Sequence, residues 1–65
     1  MKLLKAITIE GNTEFFNPSK ILTYKPNQDG TRVKILMGAG LYWWVERESL
    51  QIIDVGDNEF PNILK

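Results

Sequence analysis

Residues 31 to 46, Thr-Arg-Val-Lys-Ile-Leu-Met-Gly-Ala-Gly-Leu-Tyr-Trp-Trp-Val-Glu, read as one β-hairpin that carries both tryptophans of the chain. Two runs rich in β-forming residues flank Gly38-Ala39-Gly40, and each alternates with the two-residue period of a strand. A three-residue loop there sets Met37 across from Leu41, Ile35 across from Trp43 and Val33 across from Val45 on one face. The other face then pairs Leu36 with Tyr42, Lys34 with Trp44, and Arg32 with Glu46. A two-residue loop would slip the register by one and set Lys34 and Ile35 against side chains of the wrong character. The three-residue loop is the expectation.

A chain of 65 residues forms one domain near the lower size limit for folding alone, burying roughly 60% of its unfolded surface. Apolar residues make up 43% and charged residues 25%, a balance that excludes bulk disorder. The absence of cysteine and histidine removes disulfides, thiol chemistry and the usual zinc ligand sets. Small β-domains without such staples are commonly stabilised by association, so a symmetric homo-oligomer is expected.

Eight basic and eight acidic residues cancel. Zero net charge disfavours strong non-specific attraction to nucleic acid, which needs an excess of Lys and Arg, and to membranes. The charge is unevenly placed. Lys2, Lys5, Lys20, Lys25, Arg32 and Lys34 fall early, whereas Glu46, Glu48, Asp54, Asp57 and Glu59 dominate the end. Such polarity suits head-to-tail self-association. The start, Met-Lys-Leu-Leu-Lys-Ala-Ile, is too short and too alternating for a signal peptide, and no apolar run reaches about 18 residues. A cytoplasmic location with no membrane partner is the expectation, in the host cell if the chain is phage-encoded.

A first strand is predicted over 2 to 10, followed by a turn at Glu10-Gly11-Asn12-Thr13. Glu14-Phe15-Phe16 forms a short second strand. Proline lacks a ladder donor, so Asn17-Pro18-Ser19-Lys20 leaves the sheet as a turn or one 3₁₀ turn. Ile21 to Lys25 makes a third strand, Pro26 to Gly30 a connection, and the hairpin supplies two more. Leu50, Ile52 and Ile53 form a last strand or a single helical turn starting near Ser49, which period alone does not separate. Residues 54–65 then read either as a C-terminal tail or as an arm that docks Phe60, Ile63 and Leu64 on a neighbouring subunit.

The pattern Gly11-x-x-x-Phe15-x-Asn17-Pro18-x-x-Ile21, then a hairpin, then Glu48-Ser49-Leu50-x-x-Ile53 resembles the FlbD-like family of very short bacterial proteins over residues 7 to 53. The chain departs from that family at Gly11-Asn12, where Asn-Gly is usual, at its Gly-Ala-Gly hairpin loop, and in its added tail. The resemblance implies an all-β, non-enzymatic, self-associating protein. A weaker likeness, carried by Thr13-x-Phe15-x-x-x-x-Lys20-Ile21 and Lys34-Ile35-x-x-Gly38-x-x-x-Tyr42, runs to the tryptophan-responsive RNA-binding attenuation proteins, which form β-rings. The RNA-contacting Lys/Lys/Arg set of those proteins has no clean match here, and their ligand-binding loops do not carry over.

No catalytic constellation is present. Ser19-Lys20 share a turn, but nothing supplies an oxyanion hole. Glu46 and Glu48 stand one strand period apart as a potential carboxylate pair; the plainer account is a solvated strand end balanced by Arg47. Gly38-Ala39-Gly40 is followed by a strand, whereas a phosphate cradle needs a helix N-terminus. No catalytic, cofactor-binding or metal-binding residue is assigned. The aromatic set remains. Tyr42 and Trp44 beside Arg32 and Lys34 form a candidate binding face, with Lys34 stacked on Trp44 as a cation–π pair.

The expected fold is all-β: a small antiparallel meander of five or six strands, curled into an open barrel or two-layer sandwich over residues 1–53. Its expected core is Ile7, Ile9, Phe15, Ile21, Val33, Ile35, Met37, Trp43, Val45, Leu50 and Ile53. The expected function is that of a self-assembling interaction module, a ring or other homo-oligomer joined through sheet edges. The alternative is a regulator of the attenuation-protein type that binds RNA or single-stranded DNA through Arg32, Lys34, Tyr42 and Trp44.

Overall fold

A computed structural model describes residues 1–56. They form six strands: β1 (Lys2–Ile7), β2 (Thr13–Phe16), β3 (Ile21–Pro26), β4 (Arg32–Met37), β5 (Tyr42–Glu46) and β6 (Gln51–Asp54). The strands make two antiparallel sheets of three, ordered β2-β1-β6 and β3-β4-β5. They face each other as an open sandwich and do not close into a barrel. No described helix is long and apolar enough to cross a membrane.

Two 3₁₀ turns carry the chain between sheets. At the first, Pro18–Lys20, the Asn17 Oδ1 accepts from the Ser19 N–H (3.0 Å) and the Ser19 hydroxyl (2.8 Å). Pro18 meanwhile occupies the first position, where no amide donor is needed. The Asn-Pro signal thus ends β2 and redirects the chain into β3. At the second, Arg47–Ser49, the chain leaves β5 and returns as β6 beside β1. The segment from Ser49 onward is therefore a turn and a strand in succession. Asp54 closes β6 one residue beyond the expected domain boundary, and Met1 and Val55 exchange backbone hydrogen bonds at 2.9 and 3.2 Å.

The hairpin has the expected register. Arg32 pairs Glu46, Val33 pairs Val45, Lys34 pairs Trp44, Ile35 pairs Trp43 and Leu36 pairs Tyr42. Met37 N–H donates to Leu41 O at 2.8 Å across the Gly38–Gly40 loop. The core joins both sheets: Leu4, Ala6 and Phe16 from one, Val33, Ile35, Met37 and Val45 from the other, with Ile21, Trp43 and Leu50 packed at its margin. Trp43 meets Phe16 edge-on, ring centroids 5.4 Å apart, a favoured aromatic arrangement.

Three core assignments are corrected. Ile7 and Ile9 are 40% and 41% exposed, and Phe15 is half-buried while Phe16 is fully buried. The cause is the parity of β1. Leu4, Ala6 and Thr8 face inward, which turns Ile7 and Ile9 outward. The register Leu4↔Phe16 then sends Phe16, not Phe15, into the core. Ile53 is half-buried across from Leu3, on the opposite face of its sheet.

Thr8 links the sheets. It forms an isolated bridge with Val45, and Ile9 N–H donates to Trp44 O at 3.1 Å. The end of β1 thereby leaves its own sheet and extends the other beyond β5. Truncating Phe16 to Ala should cost roughly 3–5 kcal/mol in chemical denaturation, and Phe15→Ala less than about 2 kcal/mol. Equal losses would mean the parity is misassigned.

Candidate functional site

The four binding-face residues converge on the outer surface of the β3-β4-β5 sheet. Arg32 and Lys34 come from β4, Tyr42 and Trp44 from β5, all facing away from the core because Val33, Ile35, Trp43 and Val45 take the inward parity. The assembly-arm candidates Phe60, Ile63 and Leu64 lie outside the described residues.

The cations on this face have partners. Arg32 Nε lies 3.4 Å from Glu46 Oε1, with both side chains about half exposed. Lys34 Nζ stands 4.4 Å from the centre of the Tyr42 ring, so its cation–π partner is Tyr42 and not Trp44. Lys34 is directly opposite Trp44, but a long side chain also reaches the diagonal neighbour two residues along the partner strand. Tyr42 is 53% exposed. The Lys34 ammonium occupies one side of its ring.

Trp44 instead lines a cleft of about 250 Å³ with Ile9, Asn27 and Arg32. Ile9 and Asn27 escape a reading by residue type. Ile9 arrives through the outward parity of β1. Asn27 is positioned as a turn residue whose Oδ1 accepts from the Arg32 N–H at 3.1 Å. The Asn27-Gln28-Asp29-Gly30 composition signals the turn but not its proximity to Trp44.

A larger groove of about 830 Å³ opens at the end of the hairpin, lined by Ile7, Gly30, Thr31, Glu46, Arg47, Glu48 and Ser49. The backbone holds its walls together: Arg47 N–H donates to Thr31 O at 3.0 Å, and Arg47 Nη1 donates to Gly30 O at 3.3 Å. Gly30 sits at φ +76°, a left-handed conformation that a side chain adopts at a cost, and a Cβ there would stand 3.4 Å from Arg47 Nη1. Ser49 is committed to structure. Its hydroxyl accepts from Ile7 N–H at 2.8 Å and donates to Glu46 O at 2.7 Å. Glu46 is thus balanced by Arg32, whereas Arg47 braces the Gly30 turn.

Two carboxyls are held below their ordinary value. Asp29 accepts from the Thr31 hydroxyl (2.7 Å) and the Thr31 N–H (3.0 Å), and the Thr31 hydroxyl is the main cause. Asp54 is lowered by the hydrogen bond from Lys2, 2.9 Å away, and then by its charge. Burial raises the Tyr24 phenol. Among the described residues no three His, Cys, Asp or Glu side chains gather as a cation ligand set.

Each lowered carboxyl favours the folded chain when ionised. That contribution is present above the ordinary carboxylate range and lost as pH falls through the depressed folded value. The melting temperature should therefore fall between about pH 6 and about pH 3, and fall less in Asp29→Ala and Asp54→Asn. A melting temperature steady across that range would contradict the assignment. In a double-mutant cycle, Lys34→Met with Tyr42→Leu should couple by about 0.5–1 kcal/mol, and Lys34→Met with Trp44→Leu by less. The reverse order would restore Trp44 as the partner.

Comparison with family models, curated protein sequences and solved structures finds no match for the chain. The FlbD-like and attenuation-protein likenesses rest on the residue patterns that carry them.

Proposed function

We propose that the chain is a non-enzymatic, cytoplasmic interaction module that assembles with copies of itself, as a ring or other homo-oligomer, through its sheet edges. The observation that carries this reading is β3. It is an edge strand, and it holds Leu22 at 68% and Tyr24 at 48% exposure. An edge presents unpaired backbone donors and acceptors, and an apolar edge presents surface that a partner strand would cover. Ile52, exposed on the edge strand β6, adds a second such position. The FlbD-like resemblance points the same way.

Light scattering coupled to size exclusion should give a mass well above the 7.5 kDa of one chain, and Leu22→Glu should shift it toward the monomer. A monomer at micromolar concentration would sink the reading.

A second reading is binding of single-stranded nucleic acid, favoured by the Trp44 cleft with Arg32 and Asn27 at its walls. A stacked base contributes about 1–3 kcal/mol. Against it stand the zero net charge and the pairing of Arg32 with Glu46 and of Lys34 with Tyr42. Titration of a Trp43→Phe variant with oligonucleotide at low salt should quench Trp44 fluorescence, and salt should weaken the effect. An unchanged signal would dispose of it.

A further inference from the structure

We infer that the groove between the Gly30–Thr31 turn and the Arg47–Ser49 turn receives the β3 edge of a second copy of this chain, with Glu48 facing that copy's Lys25. The inference rests on the self-assembly reading and names its two surfaces.

The chemistry left open in the groove is simple. Ile7, 40% exposed, supplies apolar surface. Ser49 has spent its hydroxyl on Ile7 and Glu46, and Arg47 is drawn to Gly30 O. Glu46 shares its charge with Arg32. Glu48 is exposed and makes no ion pair among the described residues. An occupant suited to this groove offers an apolar side chain followed by a cation.

The β3 strand has that pattern. Lys20-Ile21-Leu22-Thr23-Tyr24-Lys25 carries two exposed large apolar residues flanked by lysines, and neither lysine forms an ion pair among the described residues. Its free edge also needs backbone partners. The groove is built at β5 and the turn after it, and β4 separates β5 from β3. A copy therefore does not fill its own groove with its own β3. The contact joins unlike surfaces, and such contacts close into rings or run on as filaments. Exposed charge pairs add little affinity, so Glu48–Lys25 sets orientation while Leu22 and Tyr24 supply the buried area.

Charge reversal in the full chain tests this, with circular dichroism showing that each variant is folded. Both positions are exposed, so neither substitution disturbs the core. Glu48→Lys and Lys25→Glu should each weaken assembly by about tenfold, read as a fall in light-scattering mass on dilution. The double variant, or an equimolar mixture of the two single variants, should regain it. If the unsubstituted chain assembles and neither reversal changes its mass, or the double variant does not recover, the groove contact is overturned and self-assembly stands. If the unsubstituted chain is a monomer, self-assembly fails and the contact with it.

Discussion

The two sheets depend on one hydroxyl-bearing residue at the end of β1. Thr8 is the buried polar side chain of the described residues, 3% exposed, and every polar group it owns has a partner. Its Oγ1 accepts from the Asn12 N–H at 3.1 Å, its N–H donates to Asn12 O at 2.8 Å, and its carbonyl accepts from Gly11 N–H at 2.9 Å. These bonds close the turn that starts β2. The bridge to Val45 joins the same residue to the other sheet. A buried hydroxyl without such partners costs about 1–3 kcal/mol, so the arrangement is tolerated only with the turn intact. Ser49 plays the matching part at the far seam, tying Ile7 of one sheet to Glu46 of the other.

That pivot sets what lies on the surface. Because Thr8 faces inward, Ile7 turns out into the groove and Ile9 turns out beside Trp44. Both concavities of the molecule therefore owe an apolar wall to the parity of one strand. The charged groups then divide by neighbourhood: Arg32 with Glu46, Lys34 with Tyr42, Lys2 with Asp54. A neutral chain thus spends much of its charge on cross-strand pairing.

The hairpin was legible from its residues because both strands alternate cleanly and the loop length decides which faces meet. The Asn17-Pro18 turn was legible for a similar reason: its residues have few other uses. The parity of β1 was not. Leu3, Leu4, Ala6, Ile7 and Ile9 put apolar side chains on both faces, so alternation does not choose between them, and the deciding residue is a threonine whose burial depends on a turn partner. Phe15 and Phe16 are adjacent and equally apolar, and only the register with β1 separates them. The Lys34 contact depends on a diagonal reach that pairwise register does not describe. Gly30, Thr31 and Ser49 meet in the groove although two lie far from the third in sequence, and nothing in their types announces it.

The loop that joins β4 to β5 places Ala39, not glycine, at φ +63° and ψ +25°. An L-residue in that region is disfavoured by about 1–2 kcal/mol. The loop is therefore not a self-forming turn that brings its strands together; the strands hold the loop. In time rather than in space, this orders the events of folding. Pairing of Val33, Ile35, Trp43 and Val45 must precede a settled Gly-Ala-Gly, and the tip of the hairpin is among the last parts of the chain to reach its native conformation.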